Sequence, residues 1–286
     1  MRQNWYDTHR MLPEFWNILG LLAAGAVSGV IGALLGLGGG IFLVPALVLA
    51  FGVPMHQAVA ASLVAVIATS SAAGARNAEA GVANVRLGMT LETATVLGAL
   101  AGALLAHRVP DRVLLGLFAL VQFAVSAMLW RRRAADADEF APAQGGLLDG
   151  RYFDPAKGRT IHYSVRNLPT AVSTSLGAGL MSALLGVGGG ILKVPVLHLF
   201  CGVPMKAATA TSNFMIGVTA AASAVVYLRD GYVPALISAT VALGVVAGSQ
   251  GGLALSRRMS ESGVRRVFAA VTLVMACAML RRVLAG

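Results

Sequence analysis

Apolar residues run along this chain in blocks long enough to cross a bilayer, parted by short polar or Gly-Pro breaks. Runs at about 16 to 37, 55 to 75, 88 to 106 and 111 to 130 approach the roughly 17 to 25 residues that a membrane-spanning helix needs. A second set follows at about 168 to 187, 205 to 228, 233 to 256 and 263 to 284. Each set also holds a shorter run, 41 to 51 and 191 to 201, pinned between a triple glycine and a Gly-Val-Pro-Met turn. At 1.5 Å per residue such a run extends only about 16 Å, too short to cross the hydrocarbon core unless flanking turns help. The pattern predicts an all-α polytopic membrane protein with five helical elements in each half.

The halves share more than a rhythm. Gly36-Leu37-Gly38-Gly39-Gly40-Ile41-Phe42-Leu43-Val44-Pro45 returns 150 residues later as Gly186-Val187-Gly188-Gly189-Gly190-Ile191-Leu192-Lys193-Val194-Pro195. The register holds without a gap: Gly52-Val53-Pro54-Met55 meets Gly202-Val203-Pro204-Met205, and Ser62 and Thr69 meet Ser212 and Thr219. The chain is an internal duplication, with a first transmembrane repeat over 1–130, a linker over 131–167 and a second repeat over 168–286. Five passes are an odd number, so the second repeat is expected to be inverted with respect to the first. Broken, short helices at matching places in inverted repeats are the sequence sign of a transporter.

Composition agrees: 57% hydrophobic and 12% charged residues, with a mean hydropathy of +0.76, fit a bilayer better than water. The net charge of +10 does not call for nucleic acid, because the basic residues gather at helix ends, as in Arg131-Arg132-Arg133, Arg257-Arg258, Arg265-Arg266 and Arg281-Arg282. On a ten-pass count, one face holds about twice as many basic residues as the other. That bias makes the face with the linker cytoplasmic and puts both termini outside. An eight-pass count regroups the same loops to the same ratio, so charge does not choose between the two counts. Residues 1 to 14 are read as an interfacial tail with Trp5, Tyr6 and Trp16 at headgroup depth, and no cleavable signal peptide is expected. Ala134 to Gly150 reads as flexible linker. Behind it, Arg151-Tyr152-Phe153 and Thr160-Ile161-His162-Tyr163 flank Asp154-Pro155-Ala156-Lys157-Gly158, which predicts a small β-hairpin on the cytoplasmic face.

Several residues could carry chemistry. Glycines remove side chains and permit positive φ, so Gly38, Gly39, Gly40, Gly188, Gly189 and Gly190 would break the helix and start a new one inside the membrane. The unpaired N–H groups at a helix start, with the positive end of its dipole, suit an anion. Pro45 and Pro195 follow within about a turn. The alternative is that these glycines only let helices pack closely. Lys193 replaces Leu43 beside the second break, where an ionisable residue is a candidate anion partner, with snorkelling to an interface as the alternative. Ser62, Ser212 and Asn213 could complete an oxyanion cage, as could Thr69, Ser70, Ser71, Thr209 and Thr211; Gln57, Gln122 and Gln250 are weaker candidates. Helix-to-helix hydrogen bonds explain such residues equally well. Glu92, the carboxylate well inside a predicted helix, is the candidate for proton coupling, with an interfacial position as the alternative.

Other chemistries find little support. The chain has no Gly-x4-Gly-Lys-Ser/Thr, His-Glu-x-x-His or Gly-x-Ser-x-Gly element, which argues against nucleotide-driven transport and against an enzyme. His56, His107 and His198 are scattered, Cys201 and Cys277 are far apart, and neither a metal site nor a disulfide framework is expected.

At the paired glycine motifs, the Gly-Val-Pro-Met turns and the Tyr152-Phe153-Asp154-Pro155 hairpin before Arg166-Asn167-Leu168-Pro169, the chain resembles the sulfite exporter TauE/SafE family. That family is also called the 4-toluene sulfonate uptake permeases. The resemblance spans almost the whole chain. It implies a carrier of sulfite, thiosulfate, sulfoacetate or another organosulfonate in the bacterial inner membrane. Members import or export, so direction does not follow. Lys193 stands at a variable position of the motif, and its role rests on the charge argument alone. The expectation is a secondary transporter working by alternating access and coupled to protons. The alternatives are an anion channel, a carrier of another oxyanion or a carboxylate, and a non-transporting membrane scaffold. Expected partners are a small sulfur-containing anion and membrane lipids, without nucleic acid or cofactor, and a homodimer is left open.

Overall fold

The computed structural model describes residues 14–35, 38–131, 146–154, 158–256 and 261–285. The first half contains α1 (Glu14–Leu35), α2 (Gly40–Phe51), α3 (Met55–Glu79), α4 (Val85–Ala106) and α5 (Asp111–Arg131). The antiparallel strands β1 (Gly150–Asp154) and β2 (Arg159–Tyr163) follow, paired from Gly150 with Tyr163 to Asp154 with Arg159. The second half contains α6 (Leu168–Leu185), α7 (Gly190–Leu199), α8 (Met205–Arg229), α9 (Ala235–Ser256) and α10 (Glu261–Ala285). Every predicted run is a helix, and the two short runs are the short helices α2 and α7. Among the described residues, α1, α3, α4, α6, α8 and α9 contain stretches long and apolar enough to cross a membrane, as a multi-pass membrane protein requires. Leu97, Leu120, Val225, Leu243 and Val274 point outward, which a lipid solvent explains and water does not. The N-terminal tail to residue 13, Gly36 and Leu37, the linker 132–145, the hairpin turn 155–157 and the Arg257-Arg258 pair lie outside the described residues.

Helices of one half pack on helices of the other: α1 on α9, α4 on α6, α3 on α8 and α5 on α10. Two of these crossings are made by glycine. A Cβ added at Gly98 would meet the Leu176 carbonyl, one at Gly102 the Leu180 carbonyl, and one at Gly179 the Thr95 carbonyl. Shifted by the repeat length, the same contacts recur as Gly248 on the Ala26 carbonyl, Gly252 on Val30 and Gly29 on Val245. Without side chains between them the backbones reach van der Waals contact, which drives helix association where lipid removes the hydrophobic drive.

The short helices begin and end where their residues dictate. Gly39 and Gly189, the N-cap residues of α2 and α7, have φ of 79° and 73°, a left-handed conformation that other residues rarely adopt. Pro45 has no N–H to offer the Ile41 carbonyl one turn back. Gln122 of α5 supplies the missing donor, its Nε2 lying 3.1 Å from the Ile41 oxygen. Gly52 closes α2 with φ 64°, and Arg282 of α10 donates to the Val48 carbonyl in its last turn. Arg282 therefore serves the negative end of a helix dipole.

Connections gather at two ends of the bundle. At one, Asp111 accepts from the Met55 N–H at 3.2 Å and pairs with His56. The same imidazole meets the Ala106 carbonyl at 2.9 Å and stacks on Tyr232 with 5.1 Å between ring centroids. The starts of α3 and α5, the end of α4 and the α8–α9 turn thus meet. At the other, the Asn84 side-chain oxygen caps α4 on the Leu87 N–H, its amide donates to the Leu148 carbonyl, and its backbone N–H donates to Thr211. Asn84 thereby ties α4 and α8 to the segment that leads into the hairpin. Asp149 holds the base of the hairpin through the Ser164 hydroxyl and the Val165 N–H, both at 3.0 Å. Tyr152 and Tyr163 pack there with Leu87, Leu91, Leu197 and Val203. The end of α7 lies beside the start of α6, with Arg166 N–H on the Cys201 carbonyl and the Asn167 amide on Phe200.

Candidate functional site

Both glycine breaks arrive at one place. A Cβ on Gly38 would lie 3.5 Å from Val66 and 3.5 Å from Ile216, and one on Gly188 would lie 3.2 Å from Val66 and 2.6 Å from Ile216. Val66 and Ile216 are themselves repeat mates, near the middle of α3 and α8. The starts of α2 and α7 therefore converge where these two helices cross. Phe42 and Leu43 N–H both approach the Gly39 carbonyl, and Leu192 and Lys193 N–H approach that of Gly189. The N–H groups that come earlier in each short helix have no carbonyl one turn back within it, which is the general condition of a helix start.

The matched serines behave differently. Ser62 donates to the Gly186 carbonyl at 2.7 Å and so ties the end of α6 to α3. Ser212 stands against Gly190, whose Cβ would come 3.1 Å from its hydroxyl. It is fully buried, and its hydroxyl has no hydrogen-bond partner among the described residues. Ser182, next to Gly189, is also buried and without a partner among them. An anion at this helix start would give both hydroxyls an acceptor.

One turn into α7 stands a buried ionic cluster. Lys193 is 2% exposed and Glu92 4%, and Lys193 Nζ lies 3.5 Å from Glu92 Oε2. Between them the Thr219 hydroxyl donates to Glu92 Oε1 at 2.6 Å and accepts from Lys193 Nζ at 3.3 Å. Glu92 Oε2 has no hydrogen-bond donor among the described residues. Both side chains are turned into the protein interior, not out to its surface. The repeat mates of this trio are Leu43, Thr69 and Ala242, so the duplication carries charge at this level on one side only. Thr69 instead reaches the Gly38 carbonyl at 3.2 Å.

The remaining candidates are spread out. Asn213 is half-buried, with its backbone carbonyl facing Gly74 where α3 meets α8. Thr211 is engaged by Asn84 and Ser70 by the Ile67 carbonyl, while Ser71 is exposed. Gln122 serves the break left by Pro45, and Gln250 is exposed on α9. Sequence reasoning did not foresee that Lys193 meets Glu92, nor that glycines four apart in α1, α4 and α9 make the crossings. The second was open to view as Gly98-x3-Gly102 and Gly244-x3-Gly248-x3-Gly252.

Comparison with known proteins agrees with this architecture. The family model described as sulfite exporter TauE/SafE matches residues 21–279. The probable membrane transporter protein YunE of Bacillus subtilis is 25% identical over 267 residues, covering 91% of this chain and 96% of that protein. The probable membrane transporter protein MJ0441 of Methanocaldococcus jannaschii is 24% identical over 283 residues, covering 93% and 97%. The probable membrane transporter protein MamO of Magnetospirillum gryphiswaldense is 28% identical over 286 residues, but the match covers 93% of this chain and only 45% of MamO. No solved structure matches. Among the described residues, ten helices with two glycine-made crossings and two short helices that start at a shared centre, together with a family match over nearly the whole chain, have one reading: the chain is a membrane transporter and belongs to the sulfite exporter TauE/SafE family.

Proposed function

We propose that this chain is a secondary transporter that moves a small sulfur-containing anion, such as sulfite, thiosulfate, sulfoacetate or another organosulfonate, across a bacterial inner membrane by alternating access. The observation that carries this reading is the convergence of two helix starts on Val66 and Ile216, with the unpartnered Ser212 hydroxyl beside one of them. Dipole ends and free N–H groups attract the anion from two sides, and Ser212 adds a neutral donor without another fixed charge. The family description supports sulfur oxyanions as the class. Glu92 is the group proposed to couple movement to protons.

The reciprocal glycine contacts support two repeats of opposite orientation, as does the gathering of the connections at two ends of the bundle. Alternating access then exchanges the environments of α2 and α7. Because glycine fastens α1 to α9 and α4 to α6, the bodies that move combine helices of both halves. The test is a stability screen of purified protein against sulfite, thiosulfate, sulfoacetate, taurine, sulfate and phosphate. A ligand that binds only the folded state raises its melting temperature by mass action. A rise with one or more of the sulfur-containing anions that is lost in Ser212→Ala supports the reading. No response to any of the six contradicts it.

A further inference from the structure

Charge balance around Lys193 points to a deeper feature of the same site, and it rests on the anion-carrier reading above. The cluster of Lys193, Glu92 and Thr219 is neutral as a whole and nearly sealed from solvent. Among the described residues of α4, α6, α7 and α8, no other ionic group stands beside the cluster to adjust that balance. Helix α6 carries no charged residue; on α7 the only other titratable side chain is His198, held to the Val203 carbonyl. On α8, Lys206 and Arg229 sit at the ends, and the Tyr227 hydroxyl donates to the Ala183 carbonyl. On α4 the other charge is Arg86 in the first turn.

An anion that enters this neutral, dry region beside Lys193 would leave one uncompensated negative charge, which a low-dielectric interior resists strongly. The balance is restored if Glu92 takes up one proton. We infer that the substrate anion and the Glu92 carboxylate are alternative partners of Lys193, so that each monovalent anion enters with one proton bound on Glu92 and the cycle is electroneutral. Before loading, the ammonium faces the carboxylate. After loading, it faces the anion while Glu92 is a neutral acid. Thr219 serves both states, because its hydroxyl can donate to a carboxylate or accept from the protonated acid. Glu92 Oε2, the oxygen without a donor, is the atom placed to receive the proton. The same balance orders the proposed cargo: a monoanion loads with one proton, whereas a dianion such as thiosulfate or sulfoacetate needs a second proton that the cluster has no group to hold and so loads more slowly.

The test uses the full chain in proteoliposomes with labelled methanesulfonate, sulfite and thiosulfate as probes. An imposed pH gradient, acid outside, should accumulate methanesulfonate by about tenfold per pH unit. A potential set by potassium and valinomycin should leave that ratio unchanged, and thiosulfate should be moved at least tenfold more slowly than methanesulfonate. Glu92→Gln should still exchange labelled for unlabelled methanesulfonate but lose accumulation under the pH gradient. Wild-type uptake that follows the membrane potential overturns the inference and leaves the carrier reading standing. So does accumulation by Glu92→Gln equal to wild type. If wild type moves none of the three probes, the carrier reading fails and takes this inference with it. Should Glu92→Gln not fold, the proton-to-anion ratio of the wild type decides alone.

Discussion

At the scale of single residues, the site turns on two charges that the sequence marks separately and the fold brings together. Lys193 and Glu92 both stand out in the sequence as ionisable residues in apolar runs, but they lie on different halves of the chain. No local spacing links α7 to α4, so their pairing was not legible. The pairing makes a stability prediction. Removing one partner leaves the other buried and uncompensated, which costs about 3 to 5 kcal/mol for a buried pair, whereas replacing both with neutral groups costs much less. Lys193→Met should therefore unfold at a clearly lower temperature than wild type, and Lys193→Met combined with Glu92→Gln should recover most of the loss. Thermal unfolding in detergent checks this; a double variant no more stable than either single one would mean that the two charges are not coupled. Binding should follow the order wild type, Lys193→Arg, Lys193→Met. A planar guanidinium fork does not replace a compact ammonium at a shaped site, and calorimetry with sulfite reads the order.

The helices themselves were largely written in the sequence. Run lengths gave every helix to within a few residues, because glycine and proline punctuate them and a bilayer demands continuous apolar stretches. The short pair, α2 and α7, was legible from the Gly-Gly-Gly and Gly-Val-Pro-Met boundaries. Which polar residues stand unpartnered at the candidate site and which repair helices was not legible, since Gln122 and Ser212 look alike in sequence. Only the fold shows that Gln122 replaces the donor missing at Pro45. Gln122→Leu should then destabilise the protein by about 1 to 3 kcal/mol, the penalty for leaving a buried carbonyl unpaired, without changing anion affinity in the folded fraction. A parallel loss of affinity would move Gln122 into the site. Glycine crossings give a paired test. Gly98→Val would drive a side chain into the Leu176 carbonyl and should abolish folded protein, whereas Gly251→Ala meets nothing within 4 Å and should be tolerated. Fluorescence-detected size-exclusion chromatography separates the two outcomes.

For the whole molecule, the shared register of the two halves is the organising observation. Contacts that recur when the halves are exchanged, such as Gly98 on Leu176 and Gly248 on Ala26, support the proposed bundle of two copies of one unit. The sequence disclosed the copies through their shared register. It could not disclose that α1 and α4 pack on the other copy, because such contacts depend on three-dimensional approach. Threading puts the α4–α5 turn at the end opposite the hairpin, and the basic-residue bias supplies the proposed sidedness, with the hairpin inside. Cysteines placed at the exposed Arg108 and Thr160 in a Cys277→Ser background should react with a membrane-impermeant maleimide from opposite sides, Arg108→Cys from outside and Thr160→Cys from inside. Labelling of both from one side would refute the inverted arrangement.

The central claim is that the paired glycine breaks form the anion path of a carrier. It is tested most directly by counterflow in proteoliposomes, with unlabelled sulfite trapped inside and a trace of labelled sulfite outside. The wild type should show a transient overshoot of label that saturates with sulfite concentration. Gly189→Val should show none in the fraction of protein that folds, because Gly189 holds φ 73° and an added Cβ would sit 2.9 Å from the Ala178 carbonyl, which displaces the start of α7. Unsaturable entry without overshoot in the wild type, or an overshoot in Gly189→Val equal to wild type, would contradict the account.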